Sequence, residues 1–181
     1  MCSSATEPRQ RLFFALWPDA AVRQSLAKSS RELLGRRVKQ VAVENLHITL
    51  AFVGPVTASV RDCLMEAAGG IHCASFDLVI DHIGHWPRPR ILWVGPTHTP
   101  LALWTLVEAL SQAFESCGLQ REARPFQAHV TLARKVGKAP PAPVMLNPVV
   151  WSVSEFSLME SVTDARGASY RRLVSWKLEG G

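Results

Sequence analysis

Two short stretches of this chain are near-copies of each other. His47-Ile48-Thr49-Leu50-Ala51 and His129-Val130-Thr131-Leu132-Ala133 differ only by Ile for Val, and they lie 82 residues apart in a chain of 181. Self-similarity at close to half the chain length points to a duplicated half-domain. Both copies are strand-like, and side chains alternate between the two faces of a strand. His47, Thr49 and Ala51 should then share one face, with Ile48, Leu50 and Phe52 on the other. In the second copy His129, Thr131 and Ala133 should oppose Val130 and Leu132. Each strand would give its large apolar residues to a core and show an imidazole and a hydroxyl on its opposite face. With the halves related by an approximate two-fold, the two polar faces meet across one groove.

The rest of the chain supplies strands and helices in mixed order. Residues 11–17 (RLFFALW) read as a buried strand after a flexible N-terminal segment 1–10. Asp19 is placed to cap a helix that carries Val22, Leu26, Leu33 and Leu34 and stops near Gly35. A second helix is expected over 57–68, closed by Gly69-Gly70, and a third over 101–117, with Leu103, Leu106, Val107, Leu110 and Phe114 on one face. Strands are expected over 75–83 and 90–95, joined by the turn GHWPRP, and again near 149–160 and 169–178. The proline-rich stretch 137–148 reads as a loop and as the weakest-structured internal segment. Hairpin-like strands mixed with helices indicate α+β rather than a parallel α/β sheet, in one domain spanning 11–181.

Composition narrows the function classes. With 48% hydrophobic and 19% charged residues the chain reads as globular, and no apolar run is long enough to span a membrane. The opening residues lack a signal peptide's apolar stretch, so the cytoplasm is the expected compartment. The net charge of +5 favours anionic partners such as RNA or phosphorylated metabolites. Cys2, Cys63, Cys73 and Cys117 form no CxxC pair and no zinc-like spacing, which predicts four reduced thiols. Phosphate-binding GxxxxGK[ST] loops and a GxSxG elbow are absent, against ATP use and serine hydrolysis.

Paired imidazoles across a groove suit general acid–base chemistry. An unperturbed imidazole pKa near 6.5 lets one ring be neutral and the other protonated close to neutral pH. Two threonine hydroxyls between them can donate to the oxygens of an anion. Such a site needs no metal and no cofactor, and it suits attack at a phosphodiester. A single HxT is a weak signal, since with eight threonines among 181 residues it arises by chance at about one histidine in twenty. Two copies in matching contexts are a much stronger one. By contrast, His82 and His85 straddle a glycine and read as solvent-exposed turn residues rather than a metal pair, and His72 and His98 carry no signal.

With these motifs in view, the chain resembles the two-histidine (2H) phosphoesterases, and within them the RNA 2′,3′-cyclic phosphodiesterases, also called 2′-5′ RNA ligases. The resemblance runs through RLFFALWP, ENLHITLAFVG, PRPRILWVG, RPFQAHVTLAR and LMESVTDARGASYRRL, nearly the whole chain. One departure is Ala128, where the family often has proline. The resemblance implies a bilobed, duplicated fold with two antiparallel sheets and flanking helices around a central groove. It implies hydrolysis of a 2′,3′-cyclic phosphate on an RNA end, tRNA halves among them, to a 2′-phosphomonoester, with reversible 2′-5′ joining in some members. By that similarity His47 is the proton donor, His129 the acceptor, and Thr49 and Thr131 hold the phosphate. Arg134, Arg90 and Arg88 are candidates for binding the rest of the RNA, and Trp86 and Trp93 either stack on a base or are structural. The protein is expected to act as a monomer. A phosphodiesterase for small cyclic nucleotides or ADP-ribose cyclic phosphate, and a non-catalytic RNA-end binder, are the alternatives.

Overall fold

The structure, a computed structural model, describes residues 7–34, 38–138, 147–164 and 167–180. Its elements in chain order are β1 (Gln10–Leu16), α1 (Ala20–Leu34), β2 (Ile48–Val56), α2 (Ala58–Gly69), β3 (Phe76–Ile80) and β4 (His82–Trp86). They continue with β5 (Ile91–Gly95), α3 (Leu101–Ser116), β6 (Val130–Arg134), β7 (Val149–Val153), β8 (Glu155–Asp164) and β9 (Gly167–Lys177). Nine strands form two antiparallel sheets among the described residues. One has seven strands in the order β4-β5-β6-β2-β1-β8-β9, and the other is the pair β3-β7. The two near-copies, β2 and β6, are neighbours at the middle of the large sheet, and they share the one register pair Ile48–Val130.

One face of the large sheet carries the main core. Leu12, Phe14 and Leu16 from β1, Ile48 and Leu50 from β2, and Val130 and Leu132 from β6 pack with the apolar sides of the three helices. Those helices bring Leu26, Leu64, Leu103, Leu106, Leu110 and Phe114, as their helical spacing predicts. Asp19 caps α1 as expected, its Oδ1 accepting a hydrogen bond from the Val22 amide at 2.8 Å. Gly35, the expected stop of this helix, and residues 139–146 of the proline-rich stretch lie outside the described residues. No helix among the described residues is long and apolar enough to cross a membrane.

Several expectations need correction. The strand expected at 75–83 breaks at Asp81 into β3 and β4, which belong to different sheets. The Asp81 carboxylate accepts a hydrogen bond from the Thr97 amide at 2.7 Å, which holds the break. The strand expected at 149–160 divides likewise at Ser154, whose carbonyl accepts from the Leu178 amide. Gln10, within the segment 1–10 expected to be flexible, begins β1 and pairs with Val56, and residues 1–6 lie outside the described residues. The four cysteines are not all free thiols. Cys63 of α2 and Cys117 at the end of α3 form a disulfide with Cα atoms 5.9 Å apart, and Cys73 is free and buried. No local spacing could reveal that bond, because the packing of α2 on α3 brings together residues 54 apart in sequence. Cys2 lies outside the described residues.

Candidate active site

The duplication extends to a defect in the sheet. Along β1–β2 the register passes from Phe14–Ala51 to Ala15–Thr49, leaving Leu50 unpaired as a bulge. Along β5–β6 it passes from Leu92–Ala133 to Trp93–Thr131, leaving Leu132 unpaired at the equivalent place. A bulge inserts one residue and reverses the alternation beyond it. Strict alternation put Phe52 in the core and Ala51 and Ala133 in the groove; the structure does the opposite. Phe52 is 46% exposed and lines the groove together with its counterpart Arg134, while Ala133 is fully buried.

The groove between the halves is a cavity of about 920 Å³. Its walls include His47, Thr49, His129, Thr131 and Arg134, so five of the residues singled out by sequence meet in one place. Asn45, Tyr170, Ser161 and Thr163 add neutral polar groups, and Arg11, Lys39 and Lys135 add charge. Among the described residues its lining contains four Lys or Arg side chains and no carboxylate, an environment for an anion. The guanidinium of Arg11 lies 4.8 Å above the Phe52 ring.

Each histidine sits just before the first residue of its strand, and each is oriented the same way. His47 Nδ1 lies 2.7 Å from the Asn45 carbonyl oxygen, and His129 Nδ1 lies 2.8 Å from that of Gln127, two residues back in both cases. A carbonyl only accepts, so Nδ1 carries the hydrogen in both rings and Nε2 is the nitrogen left to give or take a proton. Nε2 of His47 is 3.2 Å from the Thr49 hydroxyl. Aromatic rings hold each imidazole in place. Trp17 stacks parallel to His47 at 4.9 Å, with Phe13 and Tyr170 each at 5.2 Å. Trp86 and Trp93 meet His129 edge to face at 4.6 and 6.2 Å.

Burial disfavours a charged ring at both positions. It is the main reason His47 is lowered from 6.5 to about 4, against the bond to Asn45, with the His129 and Arg134 charges lowering it further. His129 is also lowered, first by burial and then by Arg134, against its bond to Gln127. Both rings are therefore mostly neutral near pH 7.

Other expected site residues lie elsewhere. Arg88 and Arg90 are exposed on the turn joining β4 to β5 and do not line the cavity. Trp93 is 6% exposed, and neither it nor Trp86 lines the cavity, which favours the structural reading of both. Gly84 makes room for this packing, since a Cβ there would come within 2.0 Å of the Trp93 indole. His82 and His85 are half-buried strand residues of β4, not exposed turn residues; His85 Nε2 lies 3.0 Å from the Val136 carbonyl. Among the described residues no three metal-ligating side chains gather. Sequence reasoning missed Phe52, Lys39, Lys135, Arg11, Tyr170 and Trp17. The one available signal was the match of Phe52 to Arg134, both five residues after a motif histidine.

Comparison with known proteins agrees with this architecture. Residues 17–165 match the profile of the 2′-5′ RNA ligase superfamily. The chain is 35% identical over 175 residues to the RNA 2′,3′-cyclic phosphodiesterase of Escherichia coli K12, covering 96% of this chain and 98% of that protein. The crystal structure of E. coli LigT in apo form superposes with a TM-score of 0.88 at 32% identity, covering 95% of this chain and 99% of that one. That of E. coli LigT complexed with 3′-AMP does so with a TM-score of 0.87 at 34% identity, covering 94% and 99%. A match over most of its length, on a fold built around two HxT strands, shows that the chain belongs to the 2′-5′ RNA ligase superfamily.

Proposed function

We propose that this protein hydrolyses the 2′,3′-cyclic phosphate at an RNA end to a 2′-phosphomonoester. The observation that carries the reading is the pair of imidazoles with Nδ1 tied to backbone, both lining one cation-rich groove. The similar E. coli enzyme is an RNA 2′,3′-cyclic phosphodiesterase, and E. coli LigT binds 3′-AMP. In the reaction, neutral His129 takes a proton from water through Nε2 as the water oxygen attacks phosphorus. The bond from phosphorus to O3′ breaks, and His47 delivers its Nε2 proton to the departing oxygen. Thr49, Thr131 and Arg134 bind the non-bridging oxygens. A 5′-hydroxyl in place of water would instead give a 2′-5′ bond, the joining known as ligation.

The protonation of His47 is coupled to the arrival of the phosphate. While the ring is neutral, the Thr49 hydroxyl can donate its only hydrogen to Nε2, 3.2 Å away. Once Nε2 is protonated, it no longer accepts, and the hydroxyl is released to donate to a phosphate oxygen. The phosphate's negative charge offsets the burial that holds His47 at about 4. The face of Trp17, parallel to the ring, favours the charged form as well. These contacts serve His47 in the donor role that the family resemblance implies, against the burial that lowers it.

The test is an oligonucleotide with a 2′,3′-cyclic end and identification of its product. A 2′-phosphomonoester is expected; a 3′-phosphomonoester, or no turnover, would overturn the reading. Thr49→Ala or Thr131→Ala should cost about 1–3 kcal/mol in kcat/KM, the loss of a hydrogen bond to a charged group. A loss under twofold in both variants would remove the threonines from phosphate binding. Because two imidazoles supply both proton transfers and neither HxT copy brings a carboxylate or thiolate at ligand spacing, activity should survive excess EDTA. Inactivation by EDTA, reversed by adding a divalent cation, would contradict this.

A further inference from the structure

The cations of the groove are not spread evenly. A bridge between Gln40 and Ala133, with a hydrogen bond from the Val41 amide to the Leu132 carbonyl, lays the segment before β2 along the end of β6. Antiparallel pairing of Gln40 with Ala133 sets Lys39 opposite Arg134. Lys135 follows directly. Alternation would send a residue after Arg134 to the far face of the strand, yet Lys135 is exposed and lines the same cavity. It does so because its φ is +63°, in the left-handed region that a lysine seldom adopts. The Val136 amide bonds to the Arg90 carbonyl at 3.0 Å and fixes this turn. Such a conformation is strained and persists where the surroundings impose it, often at ligand clamps.

Neither Lys39 nor Lys135 has a carboxylate partner among the described residues. Arg134 is the cation whose charge reaches both imidazoles. Lys135 lies four residues beyond Thr131, on the order of 10 Å along the chain and just past the end of β6. The cavity of about 920 Å³ is also larger than a cyclic phosphate alone requires.

We propose that Lys39 and Lys135 form a subsite for a second RNA phosphate, the phosphodiester on the 5′ side of the reacting terminal nucleotide. This rests on the hydrolase reading above and adds a substrate class to it: the end of an oligonucleotide in preference to a mononucleotide. Arg90, whose carbonyl accepts from the Val136 amide, and Arg88 are exposed on the adjoining turn.

The experiment compares kcat/KM for a trinucleotide and a mononucleotide that carry the same 2′,3′-cyclic end. The wild-type protein should prefer the trinucleotide by about tenfold or more, as a charged hydrogen bond would give. In Lys39→Ala/Lys135→Ala the ratio should fall towards one, and Lys39→Arg/Lys135→Arg should restore it. The wild-type preference should also weaken with added salt, and the alanine variant should show a shallower salt dependence. Equal rates on both substrates in the wild type, or a ratio untouched by the double variant, would overturn the subsite while leaving the hydrolase reading intact. Absence of hydrolysis on both substrates would overturn the hydrolase reading and the subsite with it.

Discussion

Replacing either groove histidine by alanine should lower the rate by about 10²–10⁴, the usual contribution of one general acid or base. Both rings line a groove with many polar walls, so the variants should keep the fold and a normal circular dichroism spectrum. The pH dependence then separates the roles. Burial lowers both imidazoles, His47 to about 4, so both limbs of kcat/KM should lie on the acid side of the ordinary 6.5. A bound phosphate anion raises both, and the limbs of kcat should lie at higher pH than those of kcat/KM. The limbs belong to the coupled pair rather than to single residues. His47→Ala should lose the alkaline fall, because no acid remains to be deprotonated, and His129→Ala the acidic one. A substrate whose leaving group needs no proton should rescue His47→Ala more than His129→Ala. Rescue in the opposite order would exchange the two roles, and near-normal turnover in either variant would end the assignment.

Phe14→Ala should destabilise the fold by about 3–5 kcal/mol, a large part of the ~5–15 kcal/mol that holds a typical domain together. Phe14 is fully buried on the core face of β1, with Phe114 at 5.9 Å, Phe156 at 6.4 Å and Trp176 at 5.9 Å. These neighbours come from α3, β8 and β9, so they cannot close together over the space left behind without moving three elements. Its chain neighbour Phe13 supports His47 from the other face of the same strand, and the variant should lose activity on warming at a lower temperature than the wild type. Phe52→Ala is the contrast: at 46% exposed, Phe52 should cost much less in stability. Denaturant unfolding followed by circular dichroism would measure both, and a loss below about 1.5 kcal/mol for Phe14→Ala would mean that the core relaxes around the deletion.

Much of the site was legible in the sequence because its chemistry is concentrated in a local pattern. A histidine and a threonine two apart on a strand must share a face, and a duplicate at half-chain spacing must bring a second pair. That local geometry named His47, Thr49, His129 and Thr131, and Asp19 and the periodic leucines located the helices for the same reason. Everything that depended on pairing between distant segments stayed hidden. The bulges at Leu50 and Leu132 come from strand register, and they alone turn Phe52 and Arg134 into the groove. Lys39 reaches the site through a bridge to β6, and Lys135 through a backbone angle. The Cys63–Cys117 bond depends on how two helices pack, and the breaks at Asp81 and Ser154 depend on which sheet each half-strand joins. The sequence by itself determined which groups can move a proton. Only the tertiary structure decided what surrounds them, because burial, field and register are properties of residues brought together from far apart in the chain.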